Sequence, residues 1–273
     1  MAESHEINGL IGQMDLKLKF ESKIKSLQQL CEIVRNNPDK INDTNILDLL
    51  IECINDNNVD ICEQGCYYMY NIIKHYKNTT NLNKIFKGNI DNICKILYNR
   101  CESEIKTVNK QVIMSCYSAI NALIISLPIN NDSNNINDIQ SNNDNNDNND
   151  DNGSLFVDIL DILLMKLVIS VKNVMKRNGN HSLLVCKISG IIMCLDSIIQ
   201  YIYDKNGEII LDKKRLDMII LSIYGIYTHK LCAVYKDIML IISTMSRVLK
   251  SNFINYLTDK RLQKMLYKLL GYC

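Results

Sequence analysis

Two carboxylate pairs are the clearest candidates for chemistry in this chain. Asp48 and Glu52 are four residues apart, and Asp158 and Asp161 are three apart, each pair set among apolar residues. On a helix each pair shares a face, so each offers adjacent negative charge to a Lys- or Arg-rich ligand. The same spacing also suits solvated positions on the polar side of an amphipathic helix. The four histidines, His5, His75, His181 and His229, are scattered. None shares a turn with the serine or cysteine and carboxylate that a nucleophile and its base would need. Cys62 and Cys66 are one turn apart, and Cys94 and Cys101 follow. Structural zinc uses closely spaced pairs on tight loops, whereas these fall on separate helices and read as buried thiols. There is no glycine-rich phosphate loop and no strand to precede one. The expectation is therefore a binding protein rather than an enzyme, with no cofactor and no metal.

The elements that position these residues follow from ten short apolar signatures of two alternating kinds. The first has spacing x, x+3, x+6, x+7 and occurs as Leu27-Leu30-Ile33-Val34, Cys66-Met69-Ile72-Ile73, Tyr117-Ile120-Leu123-Ile124, Ile192-Leu195-Ile198-Ile199 and Ile242-Met245-Val248-Leu249. The second, y, y+3, y+4, y+7, follows each one as Leu47-Leu50-Ile51-Ile54, Ile90-Ile93-Cys94-Leu97, Leu160-Leu163-Leu164-Leu167, Leu216-Ile219-Ile220-Ile223 and Leu262-Met265-Leu266-Leu269. Either spacing lays one stripe along a 3.6-residue helix. A single match arises by chance about one time in twenty in a chain this apolar, but ten in strict alternation do not. The expected fold is all-α: a HEAT/armadillo-type α-solenoid of about five antiparallel helix pairs, spanning 1–273 as a single array.

The repeat starts lie 39, 51, 75 and 50 residues apart, and the longest step contains an insert. Residues 129–153 hold twelve Asn and six Asp. Such a segment cannot bury enough apolar area to offset its ordering entropy, so disorder is expected within the third repeat, with the next helix starting near Ser154. Net charge is +1, yet without those six Asp the other 248 residues carry +7. That is too weak a bias to imply nucleic acid. The eleven cysteines are odd in number and irregularly spaced, and Cys31, Cys94 and Cys116 fall on apolar helix faces. Free thiols in a reducing compartment account for them. The start of the chain lacks a signal peptide's basic and apolar pattern, and the most apolar segment, Ser154 to Val171, is interrupted by Asp158, Asp161 and Lys166. A cytoplasmic or nuclear protein without membrane insertion is expected.

With the repeats phased, several short segments resemble the importin-β (karyopherin-β) family in the middle of its HEAT array. Ile41-Asn42-Asp43 with Leu49-Leu50-Ile51-Glu52 is similar to the entry and body of a second helix of that family. Cys66-Tyr67 falls where the family places Cys-Trp, and Cys116-Tyr117-Ser118-Ala119-Ile120 is similar to its Ala-Tyr-x-x-Leu/Met segment. Val248-Leu249 followed by Phe253-Ile254-Asn255-Tyr256-Leu257 resembles its Leu-Gly-x-x-Phe-x-Lys-Tyr segment. The resemblance implies a superhelix that wraps the basic segment of an adaptor, or cargo directly, in nuclear import. It further implies binding of Phe-Gly nucleoporins and release of cargo by the GTP-loaded small GTPase Ran. Here tyrosine replaces tryptophan at Tyr67, and the body is basic where the family is acidic. Asp48, Glu52, Asp158 and Asp161 are the candidate partner-binding residues, while Lys213-Lys214-Arg215 and Lys260-Arg261 oppose an acidic groove toward the C-terminus. The alternative is a HEAT-type scaffold subunit joined to a larger complex through its apolar ends.

Overall fold

The computed structural model describes residues 20–37, 46–76, 90–102, 109–126, 151–176, 180–206, 211–250, 253 and 260–271. Among these, every regular element is helical. In chain order the α-helices are α1 (Phe20–Asn36), α2 (Ile46–Asn55), α3 (Val59–Tyr76), α4 (Ile90–Glu102), α5 (Lys110–Ser126), α6 (Asp151–Met175), α7 (His181–Asn206), α8 (Lys213–Thr228), α9 (Tyr235–Leu249) and α10 (Lys260–Leu270). Each carries one of the ten apolar stripes. None of the described stripe residues is exposed, and most are buried. Each large side chain so buried contributes about 1.5–3 kcal/mol.

The helix starts are set by side-chain caps. Asn58 accepts from the amides of Asp60 (2.9 Å) and Ile61 (3.4 Å), Asn109 from Val112 (2.8 Å), and Asn180 from Ser182 (3.0 Å) and Leu183 (3.3 Å). Asp212 accepts from the amide of Arg215 at 2.8 Å. Each cap satisfies an amide that has no partner within its own helix. α8 ends in a Schellman turn: the Leu231 amide donates to Ile226 O (3.2 Å) and the Lys230 amide to Tyr227 O (3.0 Å), with Lys230 at φ 55°. One boundary differs from expectation. α6 starts at Asp151, three residues before Ser154. A 3₁₀ turn at Cys232–Val234 leads into α9. The rest of the Asn/Asp-rich insert, 129–150, lies outside the described residues, as do Ile41-Asn42-Asp43.

The chain divides into two compact units, Met1–Ser126 and Leu127–Cys273. In the first, consecutive helices run antiparallel, α2 packing on α3 and α4 on α5. Each helix also packs on the one two places along: α1 on α3, α3 on α5, and α2 on α4. Two layers result, α1/α3/α5 and α2/α4. The layers approach most closely at Gly65, where an added Cβ would lie 2.9 Å from the Cys53 Cβ and 3.0 Å from the Ile54 amide nitrogen. The second unit repeats the scheme: α6 packs on α7 and α8, α7 on α9, and α8 on α10. One described helix, α7, is long and apolar enough over His181–Tyr201 to cross a membrane. Here it packs between α6 and α9, burying Ile188, Ile191, Ile192, Leu195, Ile198 and Ile199. Buried Asp196 interrupts that face. Thr244 hydrogen-bonds to it, but its Oδ1 has no partner among the described residues, and burial raises its pKa.

Two outcomes follow. Gly65→Ala should destabilise the first unit by about 1–3 kcal/mol in urea unfolding, the usual cost of overpacking, because the crowding atoms are backbone and Cβ. Gly271→Ala, whose nearest contact would be 3.4 Å, should be close to neutral. For Asp196 the folded pKa is raised, so its contribution is most favourable below the ordinary carboxylate range and is lost as pH rises through the folded value. Asp196→Asn should therefore raise the melting temperature at neutral pH, with the gain shrinking on acidification.

Candidate protein-interaction surfaces

The four carboxylates lie on α2 and α6, one pair in each unit. On α2, Asp48 and Glu52 are both exposed, opposite the buried Ile46, Leu50, Cys53 and Ile54. On α6, Asp158 and Asp161 are also exposed. They differ in what they meet. Arg215, from the first turn of α8, donates through Nε to Asp161 Oδ1 at 2.7 Å and through Nη2 to Oδ2 at 2.8 Å. This bidentate grip engages both oxygens and holds the Asp161 carboxyl below its usual range. Lys213 and Lys214 flank the pair. Asp161 thus joins α6 to α8 while its side chain stays half exposed.

That ion pair also fixes a register. Asp161 and Arg215 are 54 residues apart, and so are Val171 and Gly225, which meet one turn before the end of the two helices. There an added Cβ on Gly225 would lie 2.8 Å from Val171 Cγ1, so only glycine lets α8 come this close. A constant offset makes α6 and α8 parallel neighbours in step. Their outer side carries Met165 (60% exposed), Ile169, Met175, Leu221 (69% exposed) and Tyr224, five of the nine large exposed hydrophobics among the described residues. By the shared offset, Leu221 stands level with residue 167, between Met165 and Ile169. These side chains form one patch rather than scattered exceptions.

In the first unit, a groove of about 680 Å³ runs between α1 and α3, lined in part by Cys31, Arg35, Tyr67, Tyr68, Lys74 and His75. Tyr67 is 49% exposed and meets Tyr68 edge to face, with ring centroids 5.4 Å apart. Beneath the layers lies a chain of buried thiols. Cys66 and Cys116 sulfurs are 3.4 Å apart, and Cys62 donates to Ile54 O at 3.1 Å. Buried Arg100 donates through Nε to the Cys62 sulfur (3.0 Å) and through Nη2 to Asp56 O (2.7 Å), so it closes the C-terminal end of α2. Hydrogen bonding with Cys66 and burial raise the Cys62 thiol pKa. A guanidinium against the sulfur opposes metal binding, and among the described residues no group of three or more His, Cys, Asp or Glu is placed to hold an ion. Cys31, Cys94 and Cys116 are buried, as their positions on apolar helix faces require.

No protein-family model, curated protein or solved structure matches the chain.

If Arg215 sets the state of Asp161, Arg215→Gln should raise the titration midpoint of the Asp161 carboxyl followed by NMR, because the bond that favours the charged form is lost. An unchanged midpoint would show that the pair does not persist in solution.

Proposed function

We propose that the chain is a protein-binding module built of HEAT-type helix pairs. The observation that carries this reading is the packing of each helix on the helix two places along, seen in both units. Helix pairs stacked in that way bury a continuous core and leave long outer faces, which repeat proteins use to hold other proteins. The resemblance to importin-β gives the reading its finer form: recognition of basic adaptor or cargo segments in nucleocytoplasmic transport, with nucleoporins as further partners and the protein in cytoplasm and nucleus. Asp48 and Glu52 on α2 are the residues assigned to a basic ligand, with Asp158 as an outlying contact. The exposed apolar patch on α6 and α8 favours a second reading, a scaffold subunit held in a larger assembly by apolar contact.

Titration of a Lys/Arg-rich adaptor peptide separates the two. Under the transport reading the peptide binds, binding weakens with salt because the charges are screened over about 8 Å at physiological ionic strength, and Asp48→Lys with Glu52→Lys lowers affinity while helix content stays constant. Both positions are exposed, so their reversal leaves the core of α2 intact. Equal affinity of the two forms, or no binding by either, would remove the acidic-face mechanism and leave the scaffold reading.

A further inference from the structure

The patch on α6 and α8 has a shape and a charge rim that specify more than general stickiness. It runs from Met165 to Met175, ten residues or about 15 Å of helix. Its width is that of two parallel helices, whose axes ordinarily lie 8–10 Å apart. This matches the reach of anchors at i, i+3 or i+4 and i+7 on a single docked helix. Methionine at two of the five positions adds an adaptable, polarizable surface.

The rim is uneven. Toward the N-terminal ends of α6 and α8 the charges are mixed: Asp158, Asp212 and Asp217 accompany Lys213 and Lys214, and Asp161 is matched by Arg215. Toward the C-terminal ends, Lys172, Lys176 and Lys230 are all exposed. No carboxylate follows Asp161 on α6 or Asp217 on α8. Lys176 follows directly on α6 and Lys230 lies just past α8, so these cations gather at the C-terminal end of the two parallel helices. An apolar strip whose C-terminal part carries cations and, among the described residues of α6 and α8, no carboxylate is complementary to an apolar stripe that ends in carboxylates.

We infer that the α6/α8 face binds an amphipathic helix of a partner protein, with the partner's apolar side on Met165, Ile169, Leu221 and Tyr224 and its acidic end over Lys172, Lys176 and Lys230. The inference rests on reading the chain as a binding module, but it assigns a different face and the opposite ligand charge from the α2 carboxylates. Leu221 and Met165 are the central anchors, because they are the most exposed of the group and contribute least to the core.

The test uses the full chain and two fluorescein-labelled amphipathic peptides. Both carry leucines at i, i+3, i+4 and i+7; one ends in glutamates and the other in lysines. The glutamate-ended peptide should bind more tightly. Met165→Glu with Leu221→Glu should weaken it by about tenfold or more, the loss expected of central anchors. Lys172→Glu with Lys176→Glu should reverse the preference between the peptides. Methyl NMR of the unaltered protein gives an independent readout: the Met165 and Met175 methyl signals should shift on titration. Equal binding of both peptides, indifference to the Met165 and Leu221 changes, or unmoved methyl signals would each overturn the proposal. So would a dimer in sedimentation equilibrium that the Met165 and Leu221 changes dissociate, since a second copy would then be the occupant. The Lys/Arg-rich peptide is titrated in the same series. Its binding without the helix peptide sinks this inference alone, whereas binding of neither sinks the module reading beneath it.

Discussion

Among the described helices, none buries its apolar stripe by packing on a sequential neighbour alone. α3 packs on α2, yet Cys66, Met69, Ile72 and Ile73 are covered only because α1 and α5 also lie against it. α6 meets α7 in the same way and still requires α8. The contact at i+2 is therefore the constraint on which the other features depend. It sets the two layers in each unit, it favours glycine at Gly225, where α8 comes against Val171 of α6, and it leaves the outer side of each layer free to serve another purpose.

Polar groups inside the units mark where that constraint meets the backbone. Arg100 is buried because the carbonyl of Asp56, just past the end of α2, is enclosed by α3 and α4 and lacks an intrahelical donor. Its guanidinium supplies the donor and also meets the Cys62 sulfur, tying three helices at one point. Asp196 is the converse case. It is enclosed by α7 and α9, has the Thr244 hydroxyl on one side, and leaves an oxygen unmatched. On the surface, the Asp161–Arg215 pair contributes less energy than alignment, since exposed ion pairs are typically worth about 0–1 kcal/mol. Its consequence is the register that brings Met165, Ile169, Leu221 and Tyr224 together.

Helix identity was legible in the sequence because a 3.6-residue stripe is a local pattern. All ten stripes fall on helices, with ends placed by Asn58, Asn109, Asn180 and Asp212. The candidate carboxylates were legible as exposed positions for the same reason. What was not legible depends on partners distant in the chain. Nothing near Asp161 announces Arg215, 54 residues on, so a paired carboxylate looked like a free one. Arg100 sits on α4 in the manner of any last-turn cation, and only α2 and α3 enclose it. The apolar patch left a faint trace: Met165 and Ile169 lie on the side of α6 where Asp158 and Asp161 suggested a polar face. That excess of apolar residues over what one stripe needs is a local signal. Its meaning depends on α8 lying alongside.

The i+2 packing can be measured directly by methyl-selective NOE spectroscopy on the full chain. The account predicts cross-peaks from the Val171 methyls to the Gly225 α-protons and from Ile and Met methyls of α3 to those of α5, along with contacts between sequential helices. Sequential contacts alone, with no cross-peak between α6 and α8 or between α3 and α5, would describe a simple up-and-down bundle and contradict the layered arrangement.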